Sequence, residues 1–387
     1  MRRSLRWLLR LGGALLLVAV VAGVWKRDEI SRLMAVNSLF LPDRIAANFS
    51  HMDRAFLSST IERGTASAVA FPVGSAAALP DGLAQFIIDR RVTSLVILKN
   101  GTLVHESYHL GTARDDLRIS WSVAKGYLSA LTGILLAEGA IGALDDPVIR
   151  YAPSLKGGAY EGTTIRHVLN MATGVTFDED YTDKNSDINR MGRVLALGAE
   201  MDAFAAGLTE TFAPPGTEWR YVSIDTHVLG MVLRGATGRS IIDLMGEKLI
   251  TPLGVETAPY YLTDGTGVAF VLGGFNGTTR DYARFGQMML QRGRWNGQQL
   301  VPEDWVIAST TASAPTAADQ YGYGFQWWLP RDARPREYMG RGIYGQYLYI
   351  SEPQGVVIAV TAVDSQFRDK AVQRRNVEMF RDIADGL

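Results

Sequence analysis

The sequence predicts an α+β fold in which both ends of the chain build one antiparallel sheet, flanked by helices, around an inserted, mostly helical subdomain. Near the N-terminal end, two β-rich runs at 92–99 and 102–108 flank Asn100-Gly101, a dipeptide typical of tight hairpins. Near the C-terminal end, three more β-rich runs follow, at 323–329, 344–351 and 356–363. The stretch between them, from 140 to 260, has mostly helical patterns.

Residues 1–27 are predicted to be a membrane helix. Arginines precede an uncharged run from Leu11 to Trp25, and this basic excess places the bulk of the chain outside the cytoplasm. The run is short for a span, but residues 7–9 extend it. We expect an uncleaved anchor in a bacterial-type inner membrane, with the main domain on the periplasmic side. The alternative is a signal peptide cleaved near Ala22, which would make the protein secreted.

Residues 28–80 are predicted to be an N-terminal arm or linker. Residues 28–40 have the pattern of a short amphipathic helix, and 64–80 are rich in Ala, Gly, Ser and Pro. This second stretch is either a strap packed along the main domain or a flexible linker. The main domain is then expected at 81–387, with its helical subdomain at roughly 122–290. Other helices are predicted at 81–91, 280–292 and 367–383.

The central chemical motif is Ser120-Trp-Ser-Val-Ala-Lys125, followed by a helical run that ends near Gly139. Ser122 therefore lies near a helix N-terminus, with Lys125 one turn later on the same face. A hydroxyl, an amine and free backbone N–H groups then meet, which is what an activated serine needs. The alternative is a helix cap and a solvated lysine. Lys125 lies in an apolar run, however, where burying an unpaired ammonium is costly. This favours the interpretation of Ser122 and Lys125 as a catalytic pair.

Three other stretches carry candidate site residues. A Pro-Gly turn precedes Tyr221-Val-Ser223, so Tyr221 is either a general base aimed at a cleft or a packed aromatic residue. Tyr181 ends a polar loop and either lines the same cleft or is simply packed. Gly340-Arg-Gly-Ile-Tyr-Gly345 opens a predicted strand, where glycines indicate close approach of another group, a bulge or a tight turn.

Composition excludes several classes of protein. The 387 residues include no cysteine, so disulfides, thiolate catalysis and cysteine-bound metals are excluded. His105-Glu-Ser-Tyr-His109 has the His-Glu-x-x-His order, but it falls in the β-rich run at 102–108 and not on the helix that the zinc motif requires, and no phosphate-binding or dinucleotide-binding glycine loop occurs. We therefore expect neither a metal nor a cofactor. The net charge of −1, without a basic block, gives no sign of nucleic-acid binding.

Taken in order, Ser122-x-x-Lys125, Tyr221-x-Ser223 and the glycine-rich stretch around Gly342 resemble the serine β-lactamase and penicillin-binding-protein superfamily. The resemblance is greatest to the class C-like branch, which includes family VIII carboxylesterases and nylon-oligomer (6-aminohexanoate) hydrolases. It covers roughly residues 80–385 and also includes Pro215-Gly-Thr and Thr164-Ile-Arg-His-Val-Leu-Asn-Met171. This resemblance implies a β-lactamase-like fold.

The resemblance also implies roles for individual residues. Ser122 would be the nucleophile, Lys125 its proton partner and Tyr221 the general base and acid. The backbone N–H groups of Ser122 and Ile343 would form the oxyanion hole. The residues expected to bind substrate are Tyr181, Ser223, Arg341 and Gly342. Two departures stand out, because Tyr221-x-Ser223 replaces the usual Tyr-x-Asn, and Gly340-Arg-Gly342 occupies the place of Lys-Thr-Gly.

The function implied is a serine hydrolase that cleaves small esters or amides, as a carboxylesterase or amide hydrolase, through an acyl-Ser122 intermediate. A D-Ala-D-Ala-type peptidase or a weak β-lactamase is an alternative. An inactive, membrane-anchored envelope binding module is an alternative of another class. Two routes of activation stay open, since Lys125 either takes the proton as a neutral amine or stays charged and favours a Tyr221 phenolate.

Overall fold

The computed structural model describes residues 7, 10–13, 17, 21 and 24–387. Most of the predicted membrane helix at 1–27 therefore lies outside the described residues. Within those residues, no helix has both the length and the apolar character that crossing a membrane requires.

The described residues form two larger antiparallel sheets and a small ribbon. In chain order, the strands are β1 (Leu57–Thr60), β2 (Val92–Lys99), β3 (Thr102–Tyr108), β4 (Arg118–Ile119), β5 (Tyr260–Thr263), β6 (Phe275–Gly277), β7 (Arg294–Trp295), β8 (Gln298–Gln299), β9 (Gly322–Tyr323), β10 (Trp328–Leu329), β11 (Glu337–Gly342), β12 (Gln346–Ser351) and β13 (Val356–Ala362).

Helices fill the long interval between the two groups of strands and cover the sheets. In chain order, they are α1 (Arg27–Asn37), α2 (Ile45–Asn48), α3 (Leu83–Asp89), α4 (Ala124–Ala137), α5 (Ile165–Leu169), α6 (Asp187–Ala196), α7 (Met201–Ala206), α8 (Ser223–Thr237), α9 (Ile241–Met245), α10 (Thr251–Leu253), α11 (Thr279–Leu290), α12 (Glu303–Ser309) and α13 (Lys370–Gly386).

The larger sheet joins the two ends of the chain, as predicted. Its strand order is β3-β2-β13-β12-β11-β10-β9, and β2 pairs with β13, so that Leu98 lies opposite Val357. The predicted hairpin between β2 and β3 is confirmed. Asn100 and Gly101 both have positive φ, 49° and 78°, which the favoured two-residue hairpin turn requires.

Both faces of this sheet are covered, because every residue of β13 is buried. On one face, α11 packs so closely that a Cβ on Gly286 would come within 2.6 Å of Val357. On the other face, Phe380 of α13 packs against Tyr347 and Tyr349 of β12. The stretch that contains Ser122 and Lys125 lies on the first of these faces, where α4 and α8 belong to the main apolar core.

Three details of the predicted sheet were wrong. The described chain has a second, four-stranded sheet, ordered β1-β5-β6-β4. The run 323–329 is split into β9 and β10, because the backbone turns at Gln326, where φ is 69°. The glycine-rich stretch does not open a strand at Tyr344. It ends β11 at Gly342, and a tight turn at Ile343–Gly345 leads into β12.

The arm packs against the main domain, so of the two alternatives for residues 64–80 the strap is correct. The N–H of Val69 donates to the carbonyl of Gly254 (3.1 Å), and Arg284 donates to the carbonyl of Val69 (2.6 Å). Further along, Gly74 N–H donates to the carbonyl of Leu103 in β3 (3.0 Å).

Candidate active site

Ser122 lies in a single helical turn, Trp121–Val123, that leads directly into α4. The Ser120 N–H donates to the carbonyl of Phe275 in β6 (2.8 Å), which fixes the turn against the smaller sheet. Trp121 has a φ of 44°, in a region that costs a non-glycine residue about 1–2 kcal/mol. Such strained residues often occur at functional sites. The predicted position of Ser122 at a helix N-terminus is confirmed.

Lys125 is buried directly behind Ser122. Its side chain is almost fully enclosed, with Nζ 3.4 Å from Ser122 Oγ and 2.6 Å from the carbonyl oxygen of Leu272. Burial lowers the pKa of the Lys125 amine to about 7. The negative charges of Glu179 and Asp225 raise this pKa, but by less than burial lowers it. Near neutral pH, therefore, a large fraction of Lys125 is an uncharged amine beside the serine hydroxyl, able to accept its proton.

Tyr221 completes the group brought together around Ser122. It comes just before α8 and stacks on Trp328 of β10, with ring centroids 5.2 Å apart. Its own ring centroid lies 5.5 Å from Lys125 Nζ. Burial raises the pKa of the Tyr221 phenol, and the neighbouring Ser122 hydroxyl only partly offsets this. The phenol is therefore protonated at neutral pH. The histidine nearest in sequence, His227, faces Asp202 instead, at 2.8 Å.

Two carboxylates next to the site were not predicted. Glu179 accepts from the N–H of Ser223 (2.5 Å) and from the hydroxyl of Tyr181 (3.2 Å). Asp225, fully buried in α8, accepts from Tyr160 (2.7 Å) and from Thr173. Burial raises the pKa of both carboxyl groups, that of Asp225 to about 8. The sequence does contain an indication of Asp225, because an acidic residue in an apolar helical run is unusual in the same way as Lys125.

The end of β11 approaches the turn that contains Ser122. A Cβ on Gly342 would lie 2.7 Å from the Ser120 carbonyl oxygen and 3.1 Å from the Ser122 nitrogen, so only glycine fits here. Ile343 follows, and Tyr344 then has a φ of 58°. Within the described chain, the N–H groups of Ser122 and Ile343 have no hydrogen-bond acceptor. Two unpaired donors next to a serine hydroxyl can bind an oxyanion.

A cavity of about 560 Å³ opens in front of Ser122. Four of the predicted site residues line it, namely Ser122, Tyr181, Ser223 and Ile343. The Tyr181 ring also packs edge-on against Phe367, at 6.2 Å between centroids. Tyr221 and Arg341 do not line this cavity. Tyr221 borders a separate hollow, which the charged residues Glu179, Arg220 and Arg368 also line.

Arg341 lies on the same side of the site as Tyr221. Its guanidinium stacks over Trp328 and Tyr321, at 5.2 and 5.5 Å from the ring centroids. Among the described residues, no carboxylate lies within 4 Å of it. Its charge also lowers the pKa of Tyr221, against the larger effect of burial. Arg341 is thus a partly exposed cation held by aromatic rings near the reacting groups. Across the residues that the structure describes, no cluster of three or more acidic or histidine side chains is arranged to hold a metal ion.

Aromatic residues of the arm reach the same site. Phe40, just after α1, stacks on Tyr344 (5.4 Å between ring centroids, 13° between planes) and on Trp121 (6.2 Å, 25°). Trp121 and Tyr344 directly neighbour Ser122 and Ile343, the residues whose N–H groups are unpaired. The arm therefore connects the two backbone segments that form the possible oxyanion hole.

Comparison with known proteins agrees with this architecture. The family model described as Beta-lactamase matches residues 83–378. The 6-aminohexanoate-dimer hydrolase of Paenarthrobacter ureafaciens is 30% identical over 294 residues, which cover 72% of this chain and 74% of that protein.

Solved structures share the fold. A provisionally assigned 6-aminohexanoate-dimer hydrolase from Bacillus anthracis superimposes with a TM-score of 0.80 at 24% identity, over 89% of this chain and 95% of that one. A family VIII carboxylesterase has a TM-score of 0.61 at 16% identity, over 79% and 95% of the two chains. Because the family model spans most of the sequence, and a 30% identical relative aligns over 72% of it, the chain belongs to the beta-lactamase family.

Proposed function

We propose that this chain, a hydrolase of the beta-lactamase family, cleaves small esters or amides through an acyl-enzyme intermediate on Ser122. The observation that carries the proposal is the buried amine of Lys125, 3.4 Å from Ser122 Oγ, with its pKa lowered to about 7. A neutral amine at hydrogen-bond reach is the base that a serine nucleophile needs.

In the first half of the reaction, Lys125 takes the proton of Ser122 while Oγ attacks the substrate carbonyl carbon. The N–H groups of Ser122 and Ile343 bind the oxygen that becomes negative. When the tetrahedral intermediate collapses, the bond to the alcohol or amine breaks, and the Tyr221 phenol supplies the proton to that leaving group. Lys125 then returns its proton to Tyr221, so that no net charge accumulates.

In the second half, water attacks the carbonyl carbon of acyl-Ser122 and loses a proton to the same pair of groups. When the bond to Ser122 Oγ breaks, the pair passes that proton to Oγ, which releases the acid and restores Ser122. Of the two activation routes, the one through neutral Lys125 has more support, because burial lowers the pKa of Lys125 and raises that of Tyr221. Tyr181, Ser223 and Arg341 are proposed to contact substrate, and Gly342 to let its backbone approach Ser122.

Two relatives support the choice of an ester or amide. The P. ureafaciens protein is named a 6-aminohexanoate-dimer hydrolase, and one of the solved structures with this fold is a carboxylesterase. The peptidase and weak β-lactamase alternatives depend on a cation that binds a substrate carboxylate. Arg341 is the candidate, and its guanidinium is held by Trp328 and Tyr321. The experiment below therefore includes nitrocefin, a β-lactam substrate, beside the ester.

The test is covalent labelling and turnover in two matched serine variants. Ser122→Ala should abolish hydrolysis of p-nitrophenyl acetate and labelling by a fluorophosphonate. Ser129→Ala is the control, because Ser129 lies on α4, the helix that follows Ser122, is buried and has no hydrogen-bond partner in the described chain. Hydrolysis that persists in Ser122→Ala would refute the proposal. Wild-type protein that is neither labelled nor active would point to a binding module, and nitrocefin turnover as fast as ester turnover would point to a β-lactamase.

A further inference from the structure

We infer that the cavity in front of Ser122 binds the acyl part of the substrate and that this acyl part is a hydrocarbon chain of about six to ten carbons. The inference rests on the proposed function and makes its substrate class more specific.

Most of the buried lining of the cavity is apolar, and its polar residues include Ser122 and Ser223 beside the reacting group and Asn189 and Arg193 on α6. From α6, Ile188, Met191 and Leu195 face it, spaced at three and four residues so that they share one side of the helix. From the arm, Val36, Leu39 and Phe40 face it from another side. The polar residues Thr182 and Lys184 lie at its exposed rim. Such an enclosure stabilises a hydrocarbon chain and disfavours a charged or strongly polar one.

The position of Tyr221 assigns this cavity to the acyl side. A leaving alcohol or amine must stand next to the group that protonates it, which is Tyr221. Tyr221 borders a second hollow, which the charged residues Glu179 and Arg220 also line, and it does not line the apolar cavity. Since the leaving group and the acyl chain extend from opposite sides of the same carbonyl carbon, the acyl chain is the part that enters the apolar cavity.

The size of the cavity sets the expected chain length. At about 560 Å³, it falls within the range of about 300–1,000 Å³ typical of sites that enclose a whole small ligand, so an acetyl group would leave most of it unused. Each buried methylene contributes about 0.8 kcal/mol, equivalent to up to about fourfold in binding. We therefore expect kcat/KM to rise by at least about tenfold from the acetyl to the hexanoyl ester and to level off near the decanoyl ester.

Gly192 offers a way to block the cavity without disturbing its walls. It lies within α6 and lines the cavity. Apart from its chain neighbours and the backbone of its own helix, no atom of the described residues lies within 4 Å of the place where its Cβ would stand. A Gly192→Trp side chain therefore has open space to enter. The matched control is Leu197→Trp, at the end of the same helix, where the side chain is 66% exposed and does not line the cavity.

The experiment measures kcat/KM for p-nitrophenyl esters from acetate to decanoate in the full chain and in both variants. In the wild type and in Leu197→Trp, we expect the same rise with chain length. In Gly192→Trp, the octanoate-to-acetate ratio of kcat/KM should fall at least about tenfold. A flat series in an active wild type, or an unchanged ratio in folded Gly192→Trp, would overturn the inference. If the wild type shows neither turnover of any ester nor labelling at Ser122, the proposed function itself is refuted.

Discussion

Replacing Lys125 by methionine should make the protein more stable at neutral pH while abolishing its activity. The ammonium form of a buried lysine is disfavoured. Lys125 is therefore kept as a neutral amine in the folded protein, although it would be protonated in the unfolded protein. Methionine has a similar length and no charge, and it fills the same space against Leu272 and Tyr221. The gain in stability should therefore depend on pH, in a way that ordinary repacking would not.

The magnitude follows from the shift in pKa. The pKa of Lys125 falls from its ordinary value of 10.5 to about 7 on folding. At about 1.36 kcal/mol for each pKa unit, the cost near pH 7 is roughly 4 kcal/mol. Methionine removes this cost but leaves the Leu272 carbonyl without its donor, a loss of about 1–3 kcal/mol. We expect a net stabilisation of roughly 2 kcal/mol at about pH 7.

The sign of the pH dependence is fixed. Between about pH 7 and about pH 10, the unfolded state holds a proton on Lys125 that the folded state lacks, so the wild type gains stability as pH rises. The variant has no such group. Its advantage should therefore shrink by about 2 kcal/mol between about pH 7 and about pH 9.

The assay is urea unfolding of the wild type and of Lys125→Met at these two pH values, with the free energies of unfolding compared at each. Lys156→Met is the control, because Lys156 is exposed and its environment changes little on unfolding. A difference between wild type and Lys125→Met that stays constant with pH, or that grows as pH rises, would refute the assignment of a lowered pKa to Lys125.

Two further predictions concern the reaction. Tyr221→Phe keeps the ring that stacks on Trp328 but loses the acid–base group, so kcat should fall on the order of 10²–10⁴-fold while Tm stays the same; near-normal turnover would eliminate Tyr221 as the proton donor. In the wild type, kcat/KM should rise with pH through about 7 as Lys125 loses its proton. In Glu179→Gln, which lacks a charge that raises the pKa of Lys125, this rise should move to lower pH, whereas in the neighbouring Asp178→Asn it should not; identical profiles in the two variants would contradict the role assigned to Glu179.

The parts of the site that local spacing determines could be predicted from the sequence. Ser122 and Lys125 are three residues apart at a helix start, so their side chains must lie close together wherever that helix packs. The hairpin at Asn100-Gly101 is local in the same way. By contrast, the meeting of Tyr221 with Ser122 depends on tertiary structure. It was expected only because the ordered motifs resemble a known family.

What the sequence could not provide depended on distant contacts. Glu179 looks like one more charge in a polar loop, and it becomes part of the site only because the Ser223 N–H, distant in sequence, binds it. The turn at Ile343–Gly345 interrupts a run that is β-rich throughout. The chain bends there where Gly342 lies against the Ser122 turn. The smaller sheet escaped notice because strands of two to four residues are too short to show an alternating pattern.

The stacking of Phe40 between Trp121 and Tyr344 makes detachment of the arm and occupancy of the site linked equilibria. An acyl chain that contacts Val36 and Leu39 binds only the form in which the arm is attached. By reciprocity, the bound acyl chain must stabilise attachment of the arm by the same factor as the attached arm strengthens binding of the acyl chain. A protease that cuts between α1 and α2 would therefore act more slowly on the acylated protein than on the free one. Residues 36–40 thus report on the state of Ser122, which lies far along the chain from them.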